Sequence, residues 1–289
     1  MRLKIILFLL KAAAAMPLPL LYLLSDFIYI VVYRVLGYRR KVVRQNLSEA
    51  FPEKSKKDLR KLEKDYYHYM CDIIVETVKL LHISPEEMAE RVRVVNPEIV
   101  RTAVEGGRSA VLLLGHYGNW EWVQEISSHV GECRFKASIY HPLHSKLWDE
   151  VYKRIRSRWE VNIIPQLNAV RALLDKDHQP WVCGFIADHR PGQVSSDNRT
   201  PFLHHDTSFI YGPEMIGNKV GAAFFYLEMK RMKRGYYQII FHPLSPIADG
   251  RPYPVTRAFW REFERVIKEN PAYWLWSHKR WKKDPLLKG

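Results

Sequence analysis

Cysteine is scarce in this chain. Cys71, Cys133 and Cys183 lie far apart and form no CxxC pair, which points to a reducing compartment and argues against a disulfide or thiolate-metal framework. No GxSxG elbow occurs, which argues against a serine esterase. No HExxH pair sets two histidines one helical turn apart, so a zinc hydrolase reading is poor. Acidic residues are outnumbered, with 31 Asp and Glu against 45 Lys and Arg in 289 residues. Nucleic acid, an anionic membrane and an acidic carrier protein all suit such a surface. With no RNP-type motif, zinc finger or basic-region helix, nucleic acid is the weakest of the three. No internal repeat or linker divides the sequence, and its length suits one sizeable α/β domain, or at most two small ones.

What is present centres on Ala110 to Trp122, AVLLLGHYGNWEW. The apolar run at 110–114 reads as a buried strand, and the polar break after it as a turn. His116 and Glu121 are five positions apart. In an unbroken helix they would sit roughly 140° apart around the axis, and in a strand they would face opposite sides. Gly115, Gly118 and Asn119 permit the bend that lets them converge. The expectation is strand, tight turn, then helix, with Asn119 near the helix start and His116 at the strand's carboxyl end, where open α/β sheets place ligands. A carboxylate on one ring nitrogen of His116 would fix its tautomer and leave the other nitrogen to take a proton from a hydroxyl. Glu121 is the expected carboxylate. A structural His–Glu pair fits the same spacing.

The stretch at 5–36 is apolar, interrupted by Lys11, Pro17, Pro19, Asp26 and Arg34. It exceeds the roughly 20 residues that span a bilayer. A retained membrane anchor over residues 1–37 is expected, with 38–289 as the catalytic domain. A cleaved signal peptide and a kinked helix pair lying in the interface are the alternatives. Arg39, Arg40, Lys41 and Arg44 follow, which by the positive-inside rule puts the catalytic part in the cytoplasm. Further on, helices are expected over 38–90, 97–107, 146–159, 167–174 and 253–269. Strands are expected over 91–95, 134–139, 161–165, 181–187, 220–228 and 236–243. The strand over 181–187 runs into a second polar cluster, Asp188-His189-Arg190. The basic turn at 230–235 suits an acidic carrier or simple solvation. In the tail, Trp274, Trp276 and Trp281 among Lys279, Arg280, Lys282 and Lys283 suit a membrane interface or the phosphate end of a lipid pocket.

GHYGNWE resembles the HxxxxD/E motif of glycerolipid acyltransferases and, more narrowly, that of the bacterial late acyltransferases of lipid A biosynthesis. Four further segments match that family in order: RRKVVRQNLSEAFPE, YHPLHSKLWDEVYKRIRSR, IADHRPG followed by TPFLHHDTSFIYGPE, and NPAYWLWSHKRWK. The last is the most specific. Where many members read Asp-Gln-Asp, this chain has Asp188-His189-Arg190. The resemblance implies a mixed, mostly parallel sheet flanked by helices behind an N-terminal membrane-anchoring helix. It implies an O-acyltransferase that takes a fatty acyl group from acyl carrier protein, or acyl-CoA, to a hydroxyl of a lipid A precursor, with no metal or redox cofactor. His116 would be the base and Glu121 its orienting partner. Backbone amides near Gly118 and Asn119, or Arg156, would face the oxyanion. Asp188, Arg190 and Thr207 would line the substrate, Thr207 capping the helix after Gly212 as an alternative. An acceptor of glycerophospholipid or amino-acid-lipid type remains open at this level, as does a non-enzymatic protein that binds anionic lipid.

Overall fold

The structure, a computed structural model, describes residues 2–159 and 161–281. Lys282 and Lys283 of the basic tail lie outside them. Two apolar helices come first, α1 (Arg2–Ala15) and α2 (Leu18–Tyr29), broken at Pro17, and α2 runs on as a π-helical turn over Ile30–Val35. After α3 (Arg40–Ala50) comes the long α4 (Lys56–Lys79). The Ser55 hydroxyl accepts from the Asp58 amide at its start, as serine N-caps do. Short α5 (Pro85–Arg91), opened by Pro85 behind the Ser84 cap, leads into β1 (Val92–Val94), and α6 (Glu98–Glu105) leads into β2 (Ala110–Leu114). The chain continues through β3 (Phe135–Tyr140), α7 (Lys146–Arg156), β4 (Asn162–Pro165), α8 (Ala169–Leu173) and β5 (Trp181–Ile186). A small hairpin, β6 (Arg199–Phe202) and β7 (His205–Ser208), precedes α9 (Gly212–Lys219). The hairpin β8 (Ala223–Lys233) and β9 (Tyr236–Pro243) precedes α10 (Pro254–Glu269).

Seven strands form one sheet in the order β1-β9-β8-β2-β5-β3-β4. All neighbours pair in parallel except β8 and β9. The expected mixed, mostly parallel sheet is therefore present. Helices cover both faces, and β2 is buried along its whole length, which is why its five residues are uninterrupted apolar side chains. Ala110 to Leu114 pair with Val182 to Ile186 of β5. That register brings the chain segments leaving β2 and β5 out at one edge, side by side.

The expected strand ends and turns need three adjustments. The helix after the central turn is a 3-10 segment, Trp122–Ser128. Residues 230–233, expected to be turn, continue β8, and the reversal is at Arg234-Gly235. The segment around Thr207 is a β-hairpin, with Thr200 opposite Thr207.

Candidate active site

The turn after β2 is fixed by sterics and by one amide side chain. Gly115 sits against the Phe263 ring, where a Cβ would overlap. Gly118 has φ +61°, and a Cβ there would collide with the Met229 carbonyl oxygen. Only glycine satisfies both the dihedral and the clearance. Asn119 then acts as the cap: its Oδ1 accepts from the amides of Glu121 at 3.2 Å and Trp122 at 3.0 Å. Its own NH2 donates to Glu76 Oε2 at 2.6 Å.

His116 points at β5, not at Glu121. Its Nδ1 lies 2.7 Å from Asp188 Oδ1, and its backbone amide donates to Asp188 Oδ2 at 3.0 Å. Leu114 pairs with Ile186, and both His116 and Asp188 lie two residues further on, so parallel register alone sets them side by side. The Trp274 indole donates to Asp188 Oδ2 at 2.9 Å. The C-terminal segment bearing Trp274 is stitched along the turn: the Gly118 amide donates to the Tyr273 carbonyl at 3.0 Å, and the Leu275 amide to the His116 carbonyl at 3.1 Å. Burial pushes the Asp188 carboxyl up, but the His116 ring, His189 and the indole outweigh it and hold the group well below the usual carboxylate range. Asp188 is thus an anion at neutral pH, and Nδ1 of His116 carries the proton it accepts.

Glu121 instead takes a two-pronged grip from α7. Arg156 donates through Nε at 2.8 Å and Nη2 at 2.6 Å, and the Trp120 indole adds a bond at 3.1 Å. The expectation that Glu121 orients His116 is corrected here. The Asn119 cap turns the chain into a 3-10 segment, which aims residue 121 at α7. Arg156 meets the turn through Glu121, with its guanidinium over the Tyr152 ring.

Two further expectations change. The Gly118 amide is taken by Tyr273, and Asn119 is fully buried with both ends of its amide used, so this pair builds the turn and does not face substrate. Thr207 is buried, and its hydroxyl accepts from the Trp281 indole at 2.9 Å; α9 has no side-chain cap. Arg190 is half-buried, in the electrostatic neighbourhood of Arg280.

Sequence reasoning placed His189 in the second polar cluster without a role and passed over His278. The His189 ring stands edge-on to His116 with centroids 4.6 Å apart, and His278 stands edge-on to His189 at 5.8 Å. His189 is exposed at its outer edge, yet desolvation of its ring among the neighbouring side chains, then the His116 ring, push it down. Glu76 was also missed. Completely buried in α4, it accepts from Asn119, from Tyr22 at 2.8 Å and from Tyr237 at 2.7 Å. The signal for Asp188 as the histidine's partner was its place at a strand end. Nothing in local spacing marked Glu76.

The basic reversal after β8 is also committed internally. Arg231 donates to Asp72 at 2.7 Å, and Arg234 reaches both Asp72 and Asp26. Arg234 thereby clamps α2 to α4, and both arginines are engaged within the chain.

Comparison with known proteins identifies the family. The family described as bacterial lipid A biosynthesis acyltransferase matches residues 3–283. A lipid A biosynthesis lauroyltransferase of Escherichia coli K12 is 24% identical over 282 residues, 93% of this chain and 88% of that protein. A lipid A biosynthesis palmitoleoyltransferase of the same organism is 23% identical over 94% of this chain and 88% of its own length. A lipid A biosynthesis acyltransferase of Shigella flexneri matches to the same extent. With the mixed sheet, the histidine at the end of β2 and a family match over nearly its whole length, this chain belongs to the bacterial lipid A biosynthesis acyltransferases.

Proposed function

We propose that the protein moves a fatty acyl group from a thioester, carried on acyl carrier protein or coenzyme A, onto a hydroxyl of a lipid A precursor. The work is done at the inner membrane with the catalytic domain facing the cytoplasm. The observation that carries the mechanism is the 2.7 Å His116–Asp188 bond at the carboxyl ends of neighbouring strands. It leaves Nε2 of His116 free to accept the acceptor's hydroxyl proton. The hydroxyl oxygen then attacks the thioester carbonyl. Collapse breaks the carbon–sulfur bond, and the proton on Nε2 passes to the departing thiolate. Asp188 orients the ring and balances its charge while the proton is held.

With the Gly118 amide already engaged, the oxyanion is assigned to Arg156. Glu121 occupies its Nε and Nη2, and Nη1 remains for the developing charge. Glu121 therefore serves catalysis by holding Arg156. No acyl-enzyme is required, because the acceptor attacks directly. The formal net charge of +14 favours both an acidic carrier and a phosphate-bearing acceptor.

The test incubates purified protein with an acyl carrier protein thioester or acyl-CoA, each radiolabelled in the acyl group, and, separately, a lipid A precursor, a lysophospholipid or an amino-acid lipid. Label is expected in the lipid A precursor. Label confined to a phospholipid would replace the acceptor, and no transfer from either donor would end the proposal.

A further inference from the structure

Helix α2 has a mixed inner side and a wholly apolar outer one. The inner side carries the buried Leu18, Leu21, Ser25 and Tyr29, with Tyr22 half-buried beside them and Tyr33 buried in the π-helical turn, while Asp26 sits at its edge. Each of its polar and aromatic side chains meets a partner in the catalytic domain. The Tyr22 hydroxyl donates to Glu76, and the Ser25 hydroxyl to Asp72 at 2.7 Å. Asp26 accepts from Arg234 at 2.7 Å. Tyr29 stacks on His68 with centroids 3.5 Å apart, and Tyr33 lies 4.9 Å from Tyr67. The partners Glu76, Asp72, His68 and Tyr67 descend α4 as those residues ascend α2, so the two helices run antiparallel in contact along several turns. The outward side is Leu20, Leu23, Leu24, Phe27 and Ile30, spaced by threes and fours, and all are exposed. Phe27 is 61% exposed, and Phe8 on the matching face of α1 is 71% exposed.

A helix whose polar side chains keep to its inner side and edge, and whose outer side is wholly leucine, phenylalanine and isoleucine, is built for an apolar surrounding on that outer side. It is also unable to span. Crossing a bilayer would carry α4 with it, and α4 is bound on its other side to the turn and the sheet: the Trp122 indole donates to the Glu76 carbonyl at 2.9 Å and the Tyr237 hydroxyl to the Glu76 carboxylate at 2.7 Å. The bend between α1 and α2 is pinned as well: the buried Lys79 ammonium donates to the Ala14 and Met16 carbonyls at 3.2 and 3.1 Å. Helix α1, 14 residues and about 21 Å long, is too short for the roughly 30 Å hydrocarbon core.

We infer that α1 and α2 form a monotopic hairpin lying in the plane of one leaflet, its leucine and phenylalanine face sunk in the acyl region of an anionic bilayer. This rests on the membrane attachment proposed above and fixes its form. Exposed Lys4, Lys11, Arg34 and Lys41 border the apolar face and supply the contacts to anionic headgroups. The hairpin also delivers the site to the surface. Just past its end, Arg39 donates to the Ser277 carbonyl at 3.0 Å, in the segment that also carries Trp274 and His278. An acceptor keeps its tails in the leaflet while its headgroup reaches His116.

Two measurements on the full chain test this. Lys11→Cys and Lys41→Cys flank the apolar stretch at 18–35. They are treated with a membrane-impermeant maleimide in sealed membrane vesicles of both orientations, with the unsubstituted chain as background for its own cysteines. A monotopic hairpin gives labelling of both positions from the cytoplasmic face only. Labelling of Lys11→Cys from the opposite face, or from neither, overturns it while leaving membrane attachment standing. Separately, a Leu23→Glu/Phe27→Glu chain is sedimented with vesicles of phosphatidylethanolamine and phosphatidylglycerol. The bound fraction is expected to fall at least about tenfold with an unchanged melting curve, since both side chains face outward. Unchanged binding overturns the assigned face, and failure of the unsubstituted chain to bind the vesicles removes the membrane reading itself.

Discussion

Two carboxylates flank the turn that carries His116, and they reached it by different routes. Glu121 is close to His116 in sequence, and Asp188 is 72 residues away. Both are nearly buried, and both are held by a cationic or ring N–H partner plus one indole. Yet Asp188 holds the histidine, and Glu121 holds an arginine. Chain proximity placed Glu121 in the neighbourhood, and the Asn119 cap then turned it toward α7. Strand register put Asp188 beside His116, because parallel strands present matching positions at the same edge. A short catalytic motif therefore says which residues are near a site, while the sheet decides which of them touch.

The contrast is tested most severely by removing its common centre. His116→Ala should lower kcat by at least about a hundredfold with an unchanged melting temperature, as removal of a general base does. Asp188→Asn should follow closely, with a loss on the order of a hundredfold or more, because an amide donating to Nδ1 would leave the proton on Nε2, the atom that must accept one. Retention of near-normal kcat in Asp188→Asn would return the orienting role to Glu121.

A double-mutant cycle sharpens the other half. Glu121→Gln and Arg156→Gln, alone and together, should show a coupling of about 1–3 kcal/mol in kcat/KM, since each loses the partner of the other. Asp188→Asn combined with Arg156→Gln should be closer to additive. Strong coupling of Glu121 to His116 with none to Arg156 would invert the comparison.

Much of the scaffold was legible in the sequence. The apolar blocks at 110–114 and 181–186 are buried parallel strands because hydrophobic runs of that length, bounded by polar turns, have few other fates. Helix α10 follows from its inward Phe259, Phe263, Val266 and Ile267. His116 at a strand end was legible for the same reason. Its partner was not, because register is a long-range property and the motif's own spacing pointed to a nearer carboxylate. Glu76 was invisible, since one glutamate on a long amphipathic helix looks like any surface glutamate until three donors from α2, β9 and the catalytic turn close around it. The inner side of α2 was hidden likewise: Asp26 reads only as an interruption of an apolar run, and it takes the position of α4 to show that Tyr22 and Ser25 are bonded to it.

The smallest expected effect on turnover, and the one that reaches from the anchor to the turn, lies at Glu76. In Glu76→Gln the amide oxygen still serves Asn119 and Tyr237, and the NH2 donates to Tyr22, whose hydroxyl reverses. The Asn119 cap survives, so kcat should fall no more than a few-fold. Stability should change with pH instead. Burial pushes the Glu76 carboxyl from 4.5 up to about 7 against the hydrogen bonds it accepts. Below about 4.5 the group is protonated in both folded and unfolded chains. Between about 4.5 and 7 the unfolded chain releases the proton and the folded chain keeps it, so folding stability falls as pH rises through this window. At 1.36 kcal/mol per unit, the rise from 4.5 to about 7 sets a ceiling of about 3 kcal/mol on that loss. Glutamine has no proton to hold, so Glu76→Gln should gain on the unsubstituted chain between pH 5 and pH 8 in denaturant titrations. Glu125, also raised to about 7 by burial, titrates in both chains and cancels from the difference. A constant gap across that range would mean that Glu76 is an ordinary ionised carboxylate, charged at both pH values, and that Tyr22, Tyr237 and Asn119 outweigh its burial.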